Sequence, residues 1–207
     1  MIEDIKQYAE SAYEGLKAWY SQDSFDPSRR TFLKKAAQSA VIVAGLSLVG
    51  TVMGGELDDL SKARSYNLSG KPTKSLKLLR PYENSTNPEI HNEIGGVFTK
   101  LGKLDEAINA FQNAIKLNPK YALAHNNLAI TYGKKGNRIK ELLFYQKALK
   151  INPKLASAQR NVAHLMIRNR RFNEAHKHVI KYLQLKPNDN QVKIWKSRLE
   201  QLIHKSD

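Results

Sequence analysis

Residues 88–121 read PEIHNEIGGVFTKLGKLDEAINAFQNAIKLNPKY, and the next two stretches of the same length repeat that skeleton. Prolines at 119, 153 and 187 stand 34 residues apart, and the same interval returns small and aromatic residues upstream of each. Block 88–121 has Ile94-Gly95, Phe98, Gly102, Ala107, Phe111 and Ala114. Block 122–155 has Leu128-Ala129, Tyr132, Gly136, Glu141, Tyr145 and Ala148. Block 156–189 has Val162-Ala163, Met166, Arg170, Ala175, Val179 and Tyr182. Self-similarity at this period marks a repeat architecture, in which each unit buries its apolar face only against its neighbours.

The physics of the pattern is that of a helical hairpin. Small residues at 95, 129 and 163, and at 107 and 175, let two helices approach closely. Aromatic rings at 98, 132, 111 and 145 fill the remaining space, and each proline ends a second helix. The order Leu-Gly-x-x-Tyr, turn Gly, Ala-x-x-x-Phe-x-x-Ala, Pro resembles the tetratricopeptide repeat (TPR). The resemblance implies an all-α solenoid of helix-turn-helix units.

Three departures mark weak points. Glu141 stands where a small residue is expected, which predicts a shifted second helix or a carboxylate reaching out to solvent. Arg170 replaces the turn glycine, so that turn is expected to take another geometry. Tyr182 replaces the last small residue, which suits a looser neighbour on its C-terminal side.

A degenerate unit spans 56–87. Ala63, Tyr66, Gly70, Ser75, Leu79 and Tyr82 keep the internal spacing, but its end is about two residues short. After 189, Val192, Trp195, Leu199 and Leu202 recur at helical steps, with Lys193, Lys196 and Arg198 elsewhere on the helix. Residues 190–207 are thus a solvating cap helix.

The chain has 207 residues, 34 Lys+Arg against 19 Asp+Glu, a net charge of +15, and no cysteine. The missing thiols exclude disulfides, iron–sulfur clusters and a Cys nucleophile. Residues 1–55 hold six basic and six acidic residues, so the whole excess belongs to 56–207 and points to an acidic partner.

Within 1–27, Ile2, Ile5, Ala9, Ala12, Leu16 and Trp19 form one helical stripe, an amphipathic leader. Residues 28–55 open with Ser28-Arg29-Arg30-Thr31-Phe32-Leu33-Lys34, followed by an uncharged, mildly apolar run from Ala36 to Gly55. This resembles a twin-arginine (Tat) export signal. The resemblance implies recognition of Arg29 and Arg30 by the Tat translocase, with Phe32 and Leu33 as apolar reading positions. It also implies a periplasm or equivalent lumen as destination. The exit side, Gly50 to Gly55, lacks an Ala-x-Ala pattern, so residues 33–53 are expected to remain as a membrane anchor.

TPR units line their inner groove with the first helix of each repeat. Carried over, this implies a polar, cationic partner groove built from Asn92, Asn126, Lys134, Arg160, His164 and Arg168. Asparagine amides suit a peptide backbone and arginines fork a carboxylate. One chaperone-cofactor subclass clamps a C-terminal carboxylate. Asn127 and Arg160 fall near such positions, but Asn92 and Gly96 stand where Lys and Asn would be needed. His91 and His125 occupy equivalent positions for large packing residues, and no Cys or carboxylate completes a metal set with them or with His176 and His178. No metal or cofactor is expected.

Neither a phosphate loop, a His-Glu-x-x-His motif, a nucleophile elbow nor a pair of carboxylates in a plausible cleft is evident, so the chain reads as a non-enzyme. The expectation is a Tat-exported protein–protein interaction scaffold, either tethered by residues 33–53 or released. It would bind an acidic protein segment and serve as an assembly or accessory subunit of a redox complex. Nucleic acid is not the expected partner. The competing class is a basic protein that binds polyanions, nucleic acid or a membrane surface, which the net charge also permits.

Overall fold

The computed structural model describes residues 55–205. The leader helix, the Arg29-Arg30 motif and the expected anchor lie outside them. Among the described residues all regular structure is helical, in nine helices and one short 3-10 turn. Helix α1 covers 55–68, and α2 is Pro72–Leu79, followed by the 3-10 turn Arg80–Tyr82. Three hairpins follow: α3 (Pro88–Lys100) with α4 (Leu104–Leu117), α5 (Ala122–Lys134) with α6 (Arg138–Ile151), and α7 (Ala156–Arg168) with α8 (Phe172–Leu185). Helix α9 (Asn190–His204) closes the array. No described helix is long and apolar enough to cross a membrane.

Local chemistry sets the helix ends. The residue before each repeat proline is driven out of the helical region, so Asn118, Asn152 and Lys186 have φ of −136°, −134° and −137°. The Asn118 and Asn152 side chains then accept from the amides of Lys120 and Lys154, each at 3.0 Å, closing the turn into the next repeat. Inside the hairpins the chain reverses through left-handed residues, Gly102 at φ +76° and Gly136 at +83°. Arg170 keeps that same geometry at φ +57° instead of finding another. The surrounding hairpin over-determines the turn, and the arginine bears the strain.

Close approach within hairpins rests on small residues. A Cβ on Gly95 would stand 2.7 Å from the Phe111 ring, which fills the place such an atom would take. Ala107, Ala114, Ala129, Ala148, Ala163 and Ala175 are fully buried. Phe111 is 1% exposed, and burial of a side chain this size contributes about 1.5–3 kcal/mol.

The core is a chain of three clusters. Phe98 packs against both the first and the second, and Phe144 against the second and the third. That continuity couples neighbouring hairpins, as a solenoid requires.

Glu141 is 5% exposed and does not reach solvent. The volume it needs comes from Gly133, which stands where the other repeats have Thr99 and Ile167. Tyr182 likewise does more than fill a loose end. Its hydroxyl donates to Asp189 Oδ2 at 2.7 Å, and Asp189 caps α9 by accepting from the Val192 amide at 3.1 Å.

Candidate partner-binding face

Consecutive first helices, α3 and α5, touch each other, while no pair of second helices packs as closely. The first helices α3, α5 and α7 are joined side chain to side chain and form one face of the array.

Across that face runs a ladder of side-chain amides. Asn127 Nδ2 donates to Asn92 Oδ1 at 3.0 Å, and Asn126 Nδ2 donates to Asn127 Oδ1 at 3.2 Å. Asn161 Nδ2 donates to Asn126 Oδ1 at 3.1 Å. Both inter-repeat bonds join residues 35 apart, one position beyond the repeat length. Asn92 and Asn126 are 5% and 2% exposed, so these two predicted groove residues hold repeat to repeat and present little polar surface outward.

The same diagonal recurs at 160 and 195 with different chemistry. The Arg160 guanidinium lies over the Trp195 ring at 5.5 Å and donates to Gln191 Oε1 at 3.0 Å. The His164 ring lies 5.9 Å from that of Trp195. Helix α9 thus engages two of the expected groove residues, and the ring of Trp195 is the partner that sequence reading did not foresee. The spacing of 35 was the signal that could have found it, as it could have found Asn127 and Asn161.

The remaining predicted residues are presented differently. Lys134 and Arg168 are exposed on the last turns of α5 and α7, and Lys100 occupies the equivalent place on α3. Lys100 Nζ donates to the Asn67 carbonyl at 2.5 Å, and Lys134 Nζ reaches the Thr99 carbonyl at 3.5 Å. None of these three cations pairs with a carboxylate among the described residues. They form a row of positive charge, one per repeat. Near the N-terminal end, Glu89 and Glu93 instead share one cation, Arg64, with Arg64 Nη2 2.6 Å from Glu89 Oε2 and Nε 3.7 Å from Glu93 Oε2.

The histidines at 91 and 125 have a structural duty. Each is 6% exposed, and each places Nε2 against the carbonyl six residues back, Ser85 at 2.7 Å and Pro119 at 3.0 Å. Because a carbonyl only accepts, that nitrogen carries the proton. In the third repeat Gln159 makes the same strap, donating to the Pro153 carbonyl at 2.8 Å. Among the described residues no group of three or more potential ligands gathers in a way that could hold a metal ion.

A TPR-repeat family model matches residues 95–136, and a tetratricopeptide-repeat model matches residues 122–155. Nothing among curated protein sequences matches the chain. Among solved structures it is similar to the first TPR of Spaghetti bound to an HSP90 peptide, with 21% identity and a TM-score of 0.53. That likeness covers 58% of this chain and 95% of the other. It is similar to a thermophilic TPR protein of Thermus thermophilus, at 19% identity and TM-score 0.60, over 66% of this chain and 77% of the other. Pseudomonas aeruginosa pilF aligns at 18% identity and TM-score 0.61, over 72% of this chain and 69% of its own. The chain carries tetratricopeptide repeats folded as a TPR-type solenoid.

Proposed function

We propose that the chain is an interaction scaffold that holds an acidic segment of a partner protein along the face formed by α3, α5 and α7. TPR solenoids are typical non-catalytic interaction modules. The observation that carries the finer reading is the row of Lys100, Lys134 and Arg168, repeated at one register without carboxylate partners among the described residues.

Neighbouring packed helices lie about 8–10 Å apart, and an extended peptide rises about 3.3 Å per residue. A segment crossing the first helices would therefore meet a cation at about every third residue. Each exposed pair contributes only about 0.2–1 kcal/mol, so affinity depends on several acting together and falls with salt. Arg160, held over Trp195, adds a guanidinium already desolvated on one side, while His164 lies beside the same ring. Spaghetti's first TPR, solved with an HSP90 peptide, shares this fold at low identity.

In the same proposal Arg29 and Arg30 direct the protein through a twin-arginine translocase, and residues 33–53 tether it on the far side. There it serves as an assembly or accessory subunit beside a folded redox enzyme. The support is the motif Ser28-Arg29-Arg30-Thr31-Phe32-Leu33-Lys34 and the uncharged run behind it.

The binding reading is tested by fluorescence anisotropy with a labelled peptide carrying glutamate at every third position, on the full chain and on a Lys134→Glu/Arg168→Glu variant. Loss of binding in the variant supports the proposal. Equal binding by both, or tighter salt-sensitive binding to duplex DNA than to the peptide, refutes it. Export is tested separately: Arg29→Lys/Arg30→Lys should leave the protein on the cytoplasmic side.

A further inference from the structure

A cleft of about 410 Å³ opens beside the degenerate hairpin. Its wall is one stripe of α2 and the turn after it: Thr73, Leu76, Lys77 and Arg80 recur at i, i+3, i+4 and i+7. Phe98 of α3 and Lys103, just before α4, complete the other side, with Glu83 at one end. The cleft exists because α2 runs for only 8 residues, against 14 in α4, α6 and α8, and then tightens into the 3-10 turn.

Phe98 gives the cleft its character. In the next repeat its counterpart Tyr132 is roofed twice, by the Phe144 ring at 5.5 Å and by Lys140 Nζ at 5.0 Å from the ring centre. The residues 34 positions earlier than those two are Ala110 and Glu106. Neither can supply an aromatic or cationic roof, and Phe98 accordingly makes no ring contact among the described residues and stays half-buried. Leu76 beside it is half-buried as well. An apolar floor is left open inside a rim that carries Lys77, Arg80 and Lys103 against one carboxylate, Glu83. Among the described residues Lys77 and Arg80 have no acidic partner, and Lys103 has only Glu106 at 3.9 Å.

We infer that this cleft is a second docking site, which takes a protein segment with one large apolar side chain flanked by acidic residues. The apolar side chain covers Phe98 and Leu76, replacing the roof that Phe144 gives Tyr132, and the flanking carboxylates meet Lys77, Arg80 and Lys103. Charge complementarity sets the choice of occupant. A neutral apolar segment would leave the cations unpaired, and a purely acidic one would leave the floor wet. The site uses none of the residues of the inner-face row, so the scaffold would hold two segments at once.

The test is titration of the full chain with a fluorescein-labelled peptide having one phenylalanine between pairs of glutamates, and with the same peptide carrying serine instead. The variants are Lys77→Glu/Arg80→Glu in the cleft and Lys134→Glu/Arg168→Glu on the inner face. All four positions are exposed, so the fold is retained, which circular dichroism checks. With the inner-face row removed by Lys134→Glu/Arg168→Glu, adding the cleft pair is expected to weaken the phenylalanine peptide by about tenfold or more, and serine to weaken it by about tenfold. Equal binding of the two peptides by the inner-face variant, no further loss on adding the cleft pair, or no binding to the unaltered protein would each overturn the assignment.

Discussion

The carboxyl group of Glu141 occupies the place that a Cβ on Gly133 would take: such an atom would stand 2.6 Å from both Cδ and Oε1 of Glu141. The two residues face each other across the α5–α6 hairpin, and each is the exception at its position in the repeat. The first repeat puts Thr99 opposite Ala107 and the third Ile167 opposite Ala175, so the middle one has exchanged bulk between its helices. Gly133→Ala should therefore forfeit the gain of about 1 kcal/mol that alanine normally brings to a helix interior, because the end of Glu141 must shift to admit the methyl group. Combined with Glu141→Ala it should recover most of that gain. Chemical denaturation of both single variants and the double variant measures the coupling, and additive effects would refute the exchange.

The buried carboxylate also makes stability depend on pH. Burial is the main cause that raises the Glu141 pKa, with Arg138 and His164 opposing it. Arg138 Nη1 lies 3.8 Å from Oε2, which has no hydrogen-bond partner. With a raised folded value, the contribution of this group is most favourable below the ordinary glutamate value of 4.5 and is lost as pH rises through the folded value. Glu141→Gln should flatten that slope, gaining on the unaltered protein towards neutral pH. A pH series of denaturation midpoints checks this, and an identical slope in the variant would falsify it.

What the sequence revealed and what it hid divide along one line. The 34-residue period gave the hairpins and the buried alanines, because small residues at fixed spacing report helix contacts within a unit. Contacts between units run along a diagonal of 35, as in Asn92–Asn127 and Asn126–Asn161, and a comparison of equivalent positions does not show them. Two of the expected groove asparagines are consequently taken up inside the wall. Arg170 misled for another reason. Residue type states a preference for φ, whereas the hairpin closing around it dictates the value.

Arg170 offers a stabilising change. A left-handed conformation costs a non-glycine residue about 1–2 kcal/mol, part of which glycine returns as unfolded-chain entropy. Arg170→Gly should therefore raise stability by about 0.5–1 kcal/mol, and Gly136→Ala at the equivalent turn should lower it by about 1 kcal/mol. Urea titrations with unchanged slopes decide the matter. Destabilisation by Arg170→Gly would show that the arginine side chain holds the turn.

The strap from position 125 to the linker carbonyl should accept glutamine. Gln159 already performs that duty in the third repeat, and the Nδ1 of His125 is buried without a partner. His125→Gln is expected to cost less than about 1 kcal/mol, while His125→Ala leaves the Pro119 carbonyl unpaired and costs about 1–3 kcal/mol plus the cavity. Thermal denaturation of the pair is the check. Equal losses would mean that ring packing against Phe144, 6.1 Å away, outweighs the hydrogen bond.

One hydroxyl joins the start of the last helix to the one before it. Tyr182 donates to Asp189, which in turn accepts from the Val192 amide at the start of α9. The Tyr182 hydroxyl is the main cause that holds the Asp189 carboxyl below its ordinary value of 3.8, and the Val192 amide adds to it. A depressed folded value means that the contribution is present in full above the ordinary value and is lost as pH falls through the folded one. Tyr182→Phe removes the larger cause. Its α9 amides should exchange with solvent faster than those of the unaltered protein at neutral pH, and the difference should shrink as Asp189 protonates in strong acid. Because Trp195 sits on that helix over Arg160, its fluorescence should report the same loosening. Unchanged exchange in α9, with the rest of the array intact, would show that Val192 and Leu199 hold the helix without the hydroxyl.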